Sequence, residues 1–156
     1  MYRRMFPKIR NPVKDYAAVF PKPEYLLQFD GCSKGNPGLA GAGAVIFNYE
    51  KEIWGASKFV GAKTTNNEAE YSGLIMGLEK ALDLGIRNLA VEGDSLLVIK
   101  QMNGEFKVKS ENLYTLYNDA KELEKKFDSI TFNHIYRSSN KRADELSNLC
   151  LNALSL

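Results

Sequence analysis

Apolar residues recur along this chain with two periods. Alternating or short continuous apolar runs predict strands at 25–30 (YLLQFD), 41–48 (GAGAVIFN), 52–60 (EIWGASKFV), 88–94 (NLAVEGD) and 129–136 (SITFNHIY). The turn at Tyr49-Glu50-Lys51 joins the second and third into a hairpin. Spacing of three and four residues predicts helices elsewhere. Over 66–84 the apolar positions are 71, 74, 75, 78 and 82, with Asn66 or Asn67 able to cap the start and Gly85 able to close the end. Residues 95–102 form a short helix stopped by Asn103-Gly104. Residues 110–127 place Leu113, Leu116, Tyr117, Ala120, Leu123 and Phe127 on one face; residues 140–154 turn Ala143, Leu146, Leu149, Cys150 and Ala153 inward. The order βββαβααβα predicts an α/β fold with a five-stranded mixed sheet flanked by helices. Strands one, four and five run parallel, and their carboxyl ends form the site.

Composition adds little until charge is divided along the chain. The 156 residues suit one domain with a sizeable core. No apolar run approaches the roughly 20 residues that span a bilayer, and the N-terminus has no apolar signal segment. Cys32 and Cys150 make no disulfide framework and fit a reducing compartment. An intracellular, mostly cytoplasmic protein is expected, with nucleus and mitochondrion open. Residues 1–23 carry six basic side chains against one acid, a net +5; the remaining 133 residues hold 15 basic and 18 acidic side chains, a net −3. A basic arm with prolines thus precedes a domain at 24–156, either as a solvated terminus or as a contact to a polyanion.

Four carboxylates sit where folding alone does not ask for them. Asp30 closes the first strand, just before a stretch of glycines in FDGCSKGNPGLAGAG, and Asp94 closes the fourth. In an α/β sheet those two ends are neighbours. Glu70 shares its helix face with Gly73, Leu74, Gly77 and Ala81, so it faces the sheet, where a carboxylate is costly unless compensated. Asp144 lies in the opening turn of the last helix. Local roles stay open for three of them: an Asx-turn at Asp30, an N-cap at Asp94, a helix-dipole contact at Asp144. Converging acids without a basic partner call for a divalent cation. Mg²⁺ held by carboxylates fits, and two such ions about 4 Å apart suit in-line displacement at phosphorus. No zinc pattern competes, because His134 is the only histidine.

The segments FDGCSKGNPGLAGAG, TTNNEAEY, VEGDS and RSSNKRADEL resemble, in order and spacing, those of type 1 ribonuclease H, in its short form without a basic protrusion. The resemblance covers residues 25–154 and implies a ribonuclease H-like fold. It implies an endonuclease that hydrolyses the RNA strand of an RNA–DNA hybrid, using two Mg²⁺ ions (Mn²⁺ can substitute) and leaving 5′-phosphate and 3′-hydroxyl ends. Asp30, Glu70, Asp94 and Asp144 then hold the metal and carry the catalysis. Gly31, Cys32, Ser33 and Asn36 resemble contacts to the RNA backbone, and Asn66 and Asn67 contacts to base edges and sugars. Lys63 and Thr65 resemble a DNA-phosphate pocket, and Ser95 lies beside the scissile region. The expected partner is the hybrid duplex, not a membrane, and the expected state is a monomer. A non-cleaving hybrid-binding module, or a nuclease of the same fold acting on double-stranded RNA, is the alternative.

Two departures stand out. The segment NGEFKVKSENL (103–113) is too short for the basic, tryptophan-bearing protrusion of many members, leaving only Lys107 and Lys109 there; the basic arm is a candidate substitute. The loop before Asp144 also lacks the family's histidine. His134 is read as structural, and Arg137 as a possible auxiliary at the site.

Overall fold

The computed structural model describes residues 22–154; most of the basic arm at 1–23 therefore lies outside the described residues. Strands β1 (Tyr25–Lys34), β2 (Gly38–Asn48) and β3 (Lys51–Thr64) form an antiparallel meander. Helix α1 (Asn66–Asp83) leads to β4 (Asn88–Gly93), then α2 (Leu96–Met102) and α3 (Glu111–Glu124). Strand β5 (Ser129–His134), a 3₁₀ turn (Arg137–Ser139) and α4 (Lys141–Leu154) complete the fold. The sheet order is β3-β2-β1-β4-β5, with β1, β4 and β5 parallel, as the element order predicts. Among the described residues, no helix is long and apolar enough to cross a membrane.

The two faces of the sheet are covered differently. Leu27, Phe29, Ala44, Ile46, Val91 and Phe132 pack against Tyr71, Leu74 and Leu78 of α1 and against α2 and α3. Full burial of each such large apolar side chain stabilises by about 1.5–3 kcal/mol. On the opposite face α4 lies alone over β1, β2 and β3, with Val45, Ala143 and Leu146 forming a smaller cluster.

The structure corrects the reading of the first three strands. Strand β1 does not stop at Asp30; it runs to Lys34, with Asp30 opposite Gly43 and Cys32 opposite Gly41. The glycine-rich stretch is therefore mostly hairpin, turning at Gly35, whose φ is +92°. Low β-propensity conceals these strands because helices lie directly on them. A Cβ on Gly31 would stand 2.3 Å from the backbone of Ala69 and Glu70. One on Gly43 would stand 2.5 Å from the Ala143 carbonyl oxygen and the Ser147 nitrogen.

The inward face of α4 also differs from expectation. Ala143, Leu146, Ser147 and Leu151 are buried, whereas Leu149 is 57% exposed and Ala153 is exposed too. Ser147 takes an inward place because the bare glycines of β2 leave room for the α4 backbone at that point.

Candidate active site

Close approach of two helices to β1 brings the acids together. Gly31 and Gly73 let α1 rest on β1 at Asp30; a Cβ on Gly73 would stand 2.7 Å from the Asp30 carbonyl oxygen. Helix α1 starts with Thr65, whose hydroxyl accepts the Glu68 N–H at 3.2 Å while the Glu68 carboxylate accepts the Thr65 N–H at 3.4 Å. This reciprocal cap replaces the predicted Asn66 or Asn67 cap and fixes where the helix begins. Glu70 then falls one turn in, beside Asp30.

Asp30, Glu70 and Asp94 each offer an oxygen within 4.8 Å of the others. Asp30 and Glu70 are buried and Asp94 is half-buried. The local alternatives for two of the acids fall away. Asp30 sits within a strand, and Ser95, not Asp94, caps α2 by accepting the Val98 N–H at 3.2 Å. Asp144 does occupy the first turn of α4, at the edge of the same cleft but outside the tight trio. Its carboxylate lies 3.8 Å from the Arg137 guanidinium, a contact weakened by the 80% exposure of that arginine.

The cleft has a volume of about 410 Å³ and is lined by the four acids with Gly31, Cys32, Ser33, Asn66, Asn67, Ser95 and Arg137. The remaining predicted residues, Asn36, Lys63 and Thr65, do not line it. Asn36 accepts the Asn66 backbone N–H at 3.1 Å, and Asn66 in turn accepts the Ser33 N–H at 2.8 Å, tying the β1–β2 turn to the start of α1. Lys63 lines a separate cavity with Glu68 and Glu111. Larger cavities exist beside α2 at Phe106 (about 540 Å³) and between α1 and α3 at Lys126 (about 700 Å³). Neither gathers a trio of carboxylates, so chemistry and not size selects the cleft.

Electrostatics press in one direction. Burial, then the charge of Asp94, pushes the Asp30 carboxyl up to about 7. Burial, then the charge of Asp30, raises Glu70 well above the usual carboxylate range. Glu70 Oε2 is buried without a hydrogen-bond partner among the described residues. An orphaned buried carboxylate oxygen beside two further acids fits a hard divalent cation bound through oxygen, which lowers each of these costs. His134 stands apart from this set. It is exposed, its Nε2 lies 3.2 Å from the Asp94 carbonyl oxygen, and its ring meets Tyr136 edge-on.

Three residues escape the sequence reading. Asn140 is fully buried and donates to Asp94 Oδ2 at 3.0 Å. Ser147, also fully buried, donates to Asp30 Oδ2 at 3.3 Å or to the Asp144 carbonyl at 2.8 Å. Asn148 donates to the Asp144 carbonyl at 2.9 Å and accepts the Cys32 thiol at 3.4 Å. An Asn before a helix signals capping, a Ser and an Asn in mid-helix signal nothing, and nothing local marks partners a hundred residues away.

Residues 28–150 match the family model described as reverse transcriptase-like. A bifunctional protein of Mycobacterium tuberculosis is 42% identical over 129 residues, covering 82% of this chain and 35% of its own length. Ribonuclease HI of Halobacterium salinarum is 39% identical over 123 residues, covering 79% of this chain and 62% of its own. This chain thus spans about a third and under two thirds of those two relatives. Among solved structures, a compost-derived ribonuclease H1 in complex with an RNA/DNA hybrid superposes with a TM-score of 0.80 at 33% identity, covering 85% of this chain and 99% of that one.

Proposed function

Because this chain belongs to the reverse transcriptase-like, ribonuclease H family, we propose that it hydrolyses the RNA strand of RNA–DNA hybrids in the cleft at Asp30. The observation that carries the reading is the trio Asp30, Glu70 and Asp94, with oxygens within 4.8 Å of one another. Its match to a hybrid-bound ribonuclease H1 supports the substrate class.

Asp30, Glu70 and Asp94 would hold divalent cations, Mg²⁺ with Mn²⁺ able to substitute, and Asp144 would complete the set from the edge. When bound, two such ions supply charge neutralisation at phosphorus and lower the pKa of a bound water. The chain's own groups do the rest. The Ser33–Asn66–Asn36 hydrogen bonds hold the substrate-facing turn rigid, so backbone contacts at Gly31, Cys32 and Ser33 meet the RNA sugar in one geometry. Asn67 and Ser95 extend that surface from the α1 and α2 starts. Lys63 and Thr65 face the DNA strand. Arg137 adds positive charge at the rim beside Asp144. The products carry 5′-phosphate and 3′-hydroxyl ends, and the domain at 24–156 acts as an intracellular monomer. These contacts read backbone and groove shape, so cleavage is not sequence-specific.

Labelled RNA–DNA, RNA–RNA and DNA–DNA duplexes incubated with Mg²⁺ test this directly. Only the RNA strand of the hybrid is cut. Asp94→Asn removes one ligand charge and takes turnover down by about 10²-fold or more, with the fold and hybrid binding retained. Cutting of RNA–RNA in preference to hybrid, or near-wild-type turnover by that variant, overturns the proposal.

A further inference from the structure

The strand and the helix that carry the acids are joined through a side chain that does not itself line the cleft. Asn140 is 0% exposed. Its Nδ2 donates to the Phe29 carbonyl at 2.9 Å and to Asp94 Oδ2 at 3.0 Å. Its backbone carbonyl accepts the Asp144 N–H at 3.1 Å. One residue therefore touches β1 immediately before Asp30, the carboxylate of Asp94, and the first turn of α4 that bears Asp144. Both side-chain partners are acceptors, so a flipped carboxamide would set oxygen against oxygen; the amide has one allowed orientation.

That arrangement leaves Oδ1 buried and without a hydrogen-bond partner among the described residues. A bare buried acceptor is a cost that an apolar side chain of similar volume would not incur. Filling space does not account for an asparagine here, whereas orienting a carboxylate does. Hydrogen bonds behind metal-binding side chains commonly set their geometry and affinity.

We propose that Asn140 is the positioning residue of the acid cluster: its carboxamide fixes the orientation of Asp94 and the separation of β1 from α4, and so sets the affinity of the cleft for a divalent cation. This rests on the acids holding such a cation, as read above. Ser147 makes a second, longer link from the same helix to Asp30.

The test is Mn²⁺ binding to the full chain by calorimetry, well below the unfolding temperature. Asn140→Ala lowers Mn²⁺ affinity about 10–100-fold, and Asn140→Ser, which keeps a short donor, recovers part of it. In hybrid cleavage kcat falls while KM holds. Equal Mn²⁺ affinity in folded wild type and Asn140→Ala overturns the assignment of Asn140 alone, since a space-filling role lowers only the unfolding temperature. Wild type that binds no Mn²⁺ overturns the proposed function and this inference with it. Should the variants fail to fold, the side-chain amide signals of Asn140 in isotope-labelled wild type decide. They shift on Mg²⁺ addition with the midpoint of ion binding, and signals that stay fixed overturn the proposal.

Discussion

Glu70 gains least, as a residue, from where it sits. It is 7% exposed on a helix face otherwise made of glycine, alanine and leucine, beside a second carboxylate. Its raised folded pKa means that its contribution to stability is present at acid pH and is lost as pH rises through that raised value. Asp30, lifted to about 7 from an ordinary 3.8, acts in the same sense between those two values. Without a divalent cation, then, the protein unfolds at progressively lower temperature from pH 5 to pH 8. Glu70→Gln flattens that decline and raises the metal-free unfolding temperature at pH 8 by about 3 °C or more, while removing cleavage. Thermal unfolding in a chelator, with and without Mg²⁺, measures both effects. A metal-free unfolding temperature that climbs over this pH range contradicts the account.

At the scale of elements, glycines determine how closely the layers approach. Gly31 seats α1 on β1, and Gly41 and Gly43 seat α4 on β2. A Cβ at Gly43 meets backbone atoms, which cannot rotate away, so Gly43→Ala displaces α4 and costs about 1–3 kcal/mol. Chemical denaturation reads that loss, and hybrid cleavage falls with it because Asp144 and Asn140 move together. An unchanged denaturation midpoint rules out the tight contact. These same glycines explain what the sequence hides. Five strands, four helices and their order follow from periodicity, because Leu27, Phe29, Leu74 and Leu78 keep their spacing wherever one face is buried. The extension of β1 to Lys34 and the inward turn of Ser147 do not follow, since glycine carries no hydropathy signal and reads as a loop. The acids are legible for the opposite reason. Carboxylates beside apolar runs defy solvation and so announce a compensating partner. Asn140 is silent, as an asparagine before a helix is ordinary and its bond to Phe29 joins residues 111 apart.

For the molecule as a whole, the described chain enters the sheet well away from the acids. Lys22 pairs with Glu50 beside the β2–β3 turn, while the acids lie along β1 by about 16 Å, at 3.3 Å per residue. Some 20 preceding residues can reach up to roughly 70 Å when extended, so the net +5 of residues 1–23 has the length to meet a long duplex beyond the cleft. Deleting residues 1–20 weakens hybrid binding at low salt and makes its salt dependence shallower, with kcat unchanged. Identical affinity and salt slope after deletion exclude the arm from binding. Helix α4 carries a different consequence. It is the final described element, yet it supplies Asp144 and follows directly on Asn140. On the proposed function, a chain terminated after β5 carries every strand yet neither Asn140 nor Asp144, and is born inert.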